Sequence, residues 1–229
     1  MLKPRYNFYA TLLDSFQYYK GSDYMDKQDL LNRINRVPFE PSDAMLKGTA
    51  FHEILCLDDK KYSKLLVDND KKGNAQVNYG NYAFNYELVG TFRKKTKEQS
   101  DLFEIQMEYV VDMGEYEVML YGYLDWVRRN SVIDIKTTAR YDFPKYSKAF
   151  QYKVYLYIAN QLGYKLDTFE YLVTNFKDLY IETYNYQEDK YFADLKAICG
   201  ELVDFLTHHR PLITDLKIFN LHGEGKVKV

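Results

Sequence analysis

Three charged residues interrupt a stretch that otherwise has the composition of buried strands, residues 121–138 with the sequence YGYLDWVRRNSVIDIKTT. Asp134 and Lys136 are two positions apart, so in a strand both side chains point to the same face. Gly122 is predicted to bend the preceding strand, which would direct Asp125 toward the same place. Two carboxylates on neighbouring strands, beside an ammonium group, are suitable ligands for Mg²⁺ or Mn²⁺. The pattern predicts metal-assisted hydrolysis, with the lysine holding or activating the attacking water.

A purely structural explanation exists for the same residues. Asp134 and Lys136 could form an ion pair on an edge strand, and Asp125 could end the preceding strand before its turn. A D-x-K pattern is common in surface strands, so these three residues do not identify a catalytic site without support from other parts of the chain.

Three polar side chains on predicted helices provide that support. His52 follows small residues in GTAFHEIL, on a helix predicted to begin at Ser42 or Asp43. Gln151 and Tyr155 are spaced i and i+4 in QYKVY, so they share one face of the helix after the lysine strand. Each feature is weak alone, because a histidine on an apolar helix is more often a core residue. The order and spacing of the complete set are specific.

This ordered set resembles the PD-(D/E)XK nuclease superfamily and, within it, the RecB-like branch. That branch carries a histidine on a helix, a G-x-x-D strand, a D/E-x-K strand and a Q-x-x-x-Y helix. The segment LKGTAFHEIL is also similar to the start of the exonuclease VIII (RecE) group. The resemblance covers roughly residues 45–160, and it departs from many relatives in having aspartate as the second acid. It implies that Gln151 and Tyr155 brace the site or contact DNA.

The resemblance also implies a metal site. Asp125, Asp134 and His52 would bind Mg²⁺ or Mn²⁺ together with the main-chain carbonyl of Ile135. Lys136 would activate the water, so the implied catalytic residues are the two aspartates and this lysine.

Four further residues are weaker candidates. Glu108 could contribute to a second metal, although a solvated strand face explains it equally simply. Thr137 follows the lysine and could touch phosphate, but its preference for β-strands is an equally good explanation. Lys94 and Lys95 lie at the basic end of a predicted helix and are candidate DNA contacts, with a solvated helix face as the alternative.

Composition excludes some classes of protein and site. The chain has 229 residues and a net charge of −2, which argues against a globally basic protein that coats DNA but permits a local phosphate cleft. Its two cysteines, Cys56 and Cys199, are too few for a structural zinc site or for the iron–sulfur cluster of several RecB-like nucleases. This favours the exonuclease VIII or lambda-exonuclease side of the family. Lone cysteines, with no signal peptide and no membrane span, predict a cytoplasmic protein.

Periodicity divides the chain into a helical part followed by an α/β part. Before residue 101 we predict helices within 5–36, at 44–57 and at 82–100, with a loop at 70–81. Beyond it we predict an antiparallel meander of strands at 103–113, 118–127 and 132–138, a helix at 143–163, strands at 168–174 and 179–186, and a helix at 189–209. The helix between two strands predicts a parallel crossover.

The predicted fold class is therefore α/β, with a mixed sheet that combines the meander and the crossover, flanked by helices, and a helical N-terminal elaboration. The resemblance implies a restriction-endonuclease-like core. We predict one nuclease domain over 1–229, with a mainly helical part at 1–100, the core at 101–210 and a C-terminal tail at 211–229.

The expected function is that of a metal-dependent DNA exonuclease in recombination or repair, of phage or mobile-element type. Three alternatives stay open: an endonuclease, a nuclease that prefers RNA or single strands, and a nucleic-acid-binding module without turnover. DNA is the expected partner. A single-strand annealing protein, a helicase or further copies of the chain are possible additional partners, since the sequence contains no Walker A motif of its own.

Overall fold

A computed structural model describes residues 3–97 and 102–220 of the chain. Strands and helices both occur in the N-terminal and the C-terminal parts of this range. They are β1 (Arg5–Tyr9), α1 (Ala10–Gly21), α2 (Lys27–Ile34), α3 (Asp43–Cys56), α4 (Asp59–Tyr62), β2 (Val67–Asn69), β3 (Ala75–Tyr79), β4 (Tyr82–Asn85), α5 (Tyr86–Lys97), β5 (Leu102–Asp112), β6 (Glu117–Arg128), β7 (Ser131–Thr137), α6 (Gln151–Gln161), β8 (Thr168–Thr174), β9 (Leu179–Asn185), α7 (Glu188–His208) and β10 (Phe219–Asn220).

The main sheet is mixed, with the strand order β10-β1-β6-β7-β8-β9, and β5 also pairs with β6. The predicted meander is confirmed, because β5, β6 and β7 pair antiparallel in succession. The predicted crossover is confirmed as well, because β7 and β8 pair in parallel with α6 between them in sequence. The fold class is the predicted one, α/β with a mixed sheet flanked by helices. Within the described ranges, no helix has both the length and the apolar character required to cross a lipid bilayer.

Strand β6 changes its partner halfway along one edge. Its first half pairs in parallel with β1, from Glu117 to Tyr121, while β5 pairs with the opposite edge over almost the whole strand. Its last three residues, beginning at Trp126, pair with β7. Residues 122–125 therefore lie in a fork between β1 and β7, where one edge of β6 has no strand beside it.

Apolar side chains cover both faces of the sheet. One cluster packs α1, α6 and α7 against the sheet and includes Phe8, Leu120 and Leu156. A second cluster packs α3 and α5 against the other face and includes Phe51 and Ile133. The domain thus has helices on both sides of a sheet whose central strands are buried, which holds the fork rigidly between two layers.

The N-terminal part contains strands where the sequence predicted helix or loop. Residues 5–9 form β1 rather than helix. Five residues are too few to distinguish the hydrophobic period of a helix from that of a strand, and pairing with β6 stabilises the strand. Part of the predicted loop at 70–81 forms β3, which turns through Gly80, at a φ of +57°, into β4. The predicted helix at 82–100 begins only at Tyr86 and is described to Lys97; its last three residues lie outside the described ranges.

Two later boundaries also differ from prediction. Helix α6 starts at Gln151 rather than at residue 143. In the preceding loop, the backbone N–H groups of Lys145 and Tyr146 donate to the carboxylate of Glu182, at 2.8 and 3.1 Å, instead of forming helical hydrogen bonds. Within the predicted tail, residues 216–220 form a 3₁₀ turn and the strand β10, which pairs with β1. The last segment, GEGKVKV, lies outside the described residues.

Arg93 on α5 closes the C-terminal end of α3. Its guanidinium donates to the carbonyl oxygens of Ile54, Leu55 and Leu57 at 2.8–3.3 Å and to a carboxylate oxygen of Asp59 at 2.6 Å. The side chain is buried, with an exposed fraction of 7%. The last carbonyls of a helix have no hydrogen-bond partner within the helix, and this arginine donates hydrogen bonds to them. Its positive charge is also favourable at the negative end of the helix dipole. Its role is structural.

We predict that Arg93→Met lowers the free energy of unfolding by about 2–4 kcal/mol, because the substitution leaves buried carbonyl groups unpaired. The matched control is Lys94→Met, one residue later on the exposed face of α5, which should change stability by less than about 0.5 kcal/mol. Urea unfolding followed by the fluorescence of the single tryptophan, Trp126, gives both values. Equal stability of the two variants would contradict the capping role.

Candidate active site

A cavity of about 640 Å³ opens at the fork in the sheet. Its other walls are formed by the first residues of α1, by His52 of α3 and by the start of α6. Seven of the predicted site residues line it, including both strand aspartates and the lysine. The complete lining is Tyr9, Ala10, Thr11, Arg36, His52, Tyr121, Gly122, Tyr123, Asp125, Asp134, Ile135, Lys136, Gln151 and Tyr155.

The register of β6 and β7 sets the two aspartates opposite each other. Trp126 pairs with Ile133 in the last rung of the ladder before the fork. The next position on each strand is Asp125 and Asp134, so their side chains project from the same face. Directly opposed positions of an antiparallel pair lie about 5 Å apart at Cβ. The sheet thus presents two carboxylates to the cavity at the point where the strands separate.

Asp134 is the most buried of the charged side chains at the site, with an exposed fraction of 4%. Its Oδ1 accepts a hydrogen bond from Nε2 of Gln151 at 2.7 Å. Its Oδ2 lies 2.8 Å from Nζ of Lys136 in an ion pair, but without the alignment of a hydrogen bond. Burial raises the pKa of Asp134 to about 6; the charge of Lys136 opposes this increase and the charge of Asp125 adds to it. At the cavity, Oδ1 is thus held by the amide of Gln151, and Oδ2 lies beside the ammonium group of Lys136.

His52 forms an ion pair with the other aspartate. Its Nε2 lies 3.3 Å from Oδ2 of Asp125, and its Nδ1 lies 3.6 Å from Sγ of Cys56. Burial alone would lower the pKa of His52, but the hydrogen bonds to Asp125 and Cys56 outweigh burial and raise it to about 10. The ring also packs against Trp126, with centroids 5.1 Å apart. In this state His52 is a cation that holds Asp125, and it must lose a proton before it can bind a metal.

The donor set at the fork fits a hard divalent cation. Within residues 3–97 and 102–220, no three His, Cys, Asp or Glu side chains form a ready-made metal cluster. A Mg²⁺ ion does not require one, since it commonly takes one or two carboxylates and keeps several waters. Asp125 and Asp134 supply the two carboxylates, and Oδ2 of Asp134, which pairs with Lys136, could also contact a cation. Ile135 lines the same cavity, so its carbonyl oxygen is a further candidate ligand.

Gly122 provides the space for Tyr155. A Cβ atom at this position would lie 2.4 Å from Cε1 and 2.8 Å from the hydroxyl oxygen of Tyr155. The expected bend is not needed to explain the glycine, because β6 runs without interruption through this position. The Tyr155 hydroxyl, in turn, contacts the Gln151 side chain and the backbone of Tyr123. The spacing of Gln151 and Tyr155 thus lets one face of α6 support both sides of the fork.

Asp14 on α1 fixes the start of α6, and the sequence analysis missed it. Its carboxylate accepts the backbone N–H of Phe150, and the N–H of Gln151 lies beside it. This carboxylate caps a helix whose own preceding residue offers no side-chain cap. Burial raises the pKa of Asp14, while these backbone donors and Lys136 oppose the increase. Asp14 acts on the site through Gln151, and no local pattern links two residues so far apart in the chain.

Arg36 is a second functional candidate that the sequence analysis missed. Its φ of +52° places it in the left-handed region, which is uncommon for a residue with a side chain. The guanidinium donates to the Tyr121 hydroxyl at 2.9 Å, lies 3.0 Å from a carboxylate oxygen of Asp215 and stands over the ring of Tyr9. These contacts hold a cation at the wall of the cavity formed by β1 and β6.

Four candidates from the sequence do not line the cavity. Glu108 lies on the exposed side of β5, one strand away from the fork. Thr137 packs against α3, where a Cβ at Gly48 would lie 2.7 Å from its Oγ1. Lys94 and Lys95 belong to α5, beside the structural Arg93.

Comparisons with known proteins identify the fold. No family model matches the chain, and no curated protein gives a significant match. Among solved structures, a predicted exonuclease from Eubacterium rectale is similar, with a TM-score of 0.54 at 13% identity over 88% of this chain and 81% of that chain. The protein SSO0001 is also similar, with a TM-score of 0.46 at 15% identity over 87% of this chain and 76% of its own. The first similarity supports a nuclease-like fold.

We predict that Gly122→Ala lowers the free energy of unfolding by about 1–3 kcal/mol, because the added methyl group overlaps the Tyr155 ring. In a Tyr155→Ala background the same substitution should cost much less. A double-mutant cycle by urea unfolding should therefore give a coupling energy of about 1 kcal/mol or more. The control is Gly90→Ala on α5, where a Cβ would meet no atom within 4 Å and stability should be unchanged or higher. Additive costs at Gly122 and Tyr155 would contradict the contact.

Proposed function

We propose that the chain is a metal-dependent nuclease that hydrolyses phosphodiester bonds in DNA, with Mg²⁺ or Mn²⁺ as its cofactor. The observation that carries the proposal is the arrangement at the fork. Asp125 and Asp134 face each other at the mouth of a solvent-open cavity, and Lys136 stands beside them. A surface ion pair would not explain why Asp134 is almost completely buried, with an exposed fraction of 4%.

The residues of the chain have separate roles in this proposal. Asp125 and Asp134 hold the cation, together with the carbonyl of Ile135 and with His52 once its proton is lost. When bound, a divalent cation supplies a nucleophile at neutral pH and stabilises charge on the phosphate. Lys136 has 28% of its side chain exposed, so its ammonium group can reach a water or a phosphate oxygen in the cavity while it offsets the charge of Asp134.

The surrounding residues orient these groups. Gln151 donates a hydrogen bond to Oδ1 of Asp134, while Oδ2 lies beside Lys136. Tyr155 fills the space above Gly122 and keeps α6 against β6. Arg36 stands among the other residues of the cavity wall, where a guanidinium suits a phosphate group because it can donate two parallel hydrogen bonds.

The mode of action rests on the sequence resemblance and on the fold. The similarity to exonuclease VIII and to a structure named as a predicted exonuclease favours digestion from a DNA end. We propose a role in recombination or repair, of phage or mobile-element type, in the cytoplasm. A single-strand annealing protein or a helicase would be a functional partner, and assembly of several copies would favour processive digestion.

The test is hydrolysis of end-labelled linear duplex, closed circles and single strands with Mg²⁺, with Mn²⁺ or with a chelator. We expect metal-dependent loss of the linear duplex with circles spared, and the position of the label gives the polarity. Asp125→Asn, Asp134→Asn and Lys136→Ala should each lower the rate by about a hundredfold to ten-thousandfold or more. The matched control is Glu108→Gln, a carboxylate of the same sheet outside the cavity, which should retain the rate.

Other outcomes would change the proposal in defined ways. Cleaved circles would indicate an endonuclease, and preferential loss of single strands or RNA would identify a different substrate. Full activity of Asp134→Asn would contradict the site. An absence of cleavage by folded protein with either metal would favour a binding module without turnover.

A further inference from the structure

A second cavity, of about 690 Å³, is lined by Lys47 of α3, whereas His52 of the same helix lines the candidate active site. The second cavity is formed by α3, by the turn between β2 and β3, by β3 and β4, and by the turn that follows β8. Four lysines and two phenylalanines line it, together with four amide side chains. We call it the lysine pocket, after Lys47, Lys71, Lys72 and Lys177.

The charge of the lysine pocket is strongly positive. Its lining contains four ammonium groups and one carboxylate, Asp70. Hydrogen bonds from the side chain and backbone of Asn74 and from the backbone of Lys72 lower the pKa of Asp70, so it stays ionised but is directed into its own turn. Across the described ranges, no carboxylate lies within ion-pair distance of any of the four lysines. The net positive charge of this lining favours the entry of an anion.

An aromatic wall accompanies the lysines. Phe176 adopts a φ of +66°, an unfavourable conformation for a bulky residue, and its ring packs edge-on against Phe51 at 5.6 Å. Nζ of Lys47 lies 4.4 Å from the centroid of the Phe176 ring. The ring of Phe176 is partly exposed and packs against the buried Phe84, so it provides an apolar surface next to the cations. Positive charge beside an aromatic face is the combination that binds a single nucleic-acid strand, through its phosphates and through base stacking.

The lysine pocket adjoins the catalytic strand. Thr174 ends β8 and pairs with Thr137, the residue after Lys136, and Phe176 follows two positions later. On α3, Gly48 packs against Thr137, and the preceding Lys47 reaches Phe176. The pocket thus begins about one strand spacing, ~4.8 Å, from the end of β7.

From this placement we infer that the lysine pocket binds the phosphate backbone of a single nucleic-acid strand, next to the segment that occupies the cavity at the fork. The identification of this strand as the substrate rests on the proposed nuclease function. The binding itself depends only on the charge and shape of the pocket, so it can be measured without catalysis.

The experiment measures fluorescence anisotropy of a labelled oligothymidylate with the full chain, in a chelator and over a series of salt concentrations. Lys71→Gln with Lys72→Gln should weaken binding by about tenfold at low salt. The slope of log affinity against log salt should fall by about 1.4, because each phosphate contact on a single strand contributes about 0.7. The control is Lys190→Gln with Lys196→Gln, which removes two exposed lysines from α7 and should change neither value. Far-UV circular dichroism verifies that both variants are folded.

The outcomes separate this inference from the proposed function. Unchanged affinity and slope in the Lys71 and Lys72 variant, or equal losses in both double variants, would overturn the inference even if the wild-type chain cleaves DNA. Selective loss in the pocket variant would support the inference. If the wild-type chain then fails to hydrolyse any substrate with Mg²⁺ or Mn²⁺, only the nuclease proposal is lost.

Discussion

The structure depends on how it accommodates the buried charge of Asp134. A carboxylate with almost no access to water is costly unless neighbouring groups compensate for its charge, and a second carboxylate, Asp125, lies opposite it. Lys136 compensates from the same strand, and Gln151 donates to one oxygen. The compensation is incomplete, since burial still raises the pKa of Asp134 to about 6. This remaining imbalance is what a divalent cation would relieve, and it is typical of sites that act on charged substrates.

The surrounding architecture maintains this arrangement. Strand β6 exchanges β1 for β7 as its neighbour, and the gap between them gives the carboxylates access to a cavity. Helix α6 spans the gap because Gly122 admits the Tyr155 ring, and because Asp14 on α1 caps the start of the helix. A small change at Asp14 or Gly122 would therefore reach Asp134 through Gln151. The contacts of α6 with Gly122 and Asp14 therefore contribute both to the stability of the domain and to the geometry of the site.

Local patterns were sufficient to predict which strand and helix residues come together at the fork. Strand parity placed Asp134 and Lys136 on one face, and helical spacing joined Gln151 to Tyr155, because both rules act over a few residues. The meander, the crossover and strand β8 followed from the same periodicities.

Features that depend on contacts between distant parts of the chain could not be predicted from local patterns. Asp14 and Arg36 reach the site from the N-terminal part, and β1 became a strand only through pairing with β6. Arg93 precedes the candidate DNA contacts Lys94 and Lys95 in sequence, but burial against the carbonyls of α3 gives it a structural role. The lysine pocket combines residues from α3, from the turn before β3 and from the turn after β8, so no single stretch of sequence reveals it.

The most direct test of the central claim is anomalous X-ray diffraction from crystals of the chain grown with Mn²⁺. The account predicts an anomalous peak at the fork, within bonding distance of a carboxylate oxygen of Asp125 and of Oδ2 of Asp134. A well-ordered structure with no manganese at these two carboxylates, or with Asp134 bonded only to Lys136 and Gln151 at saturating metal, would contradict it.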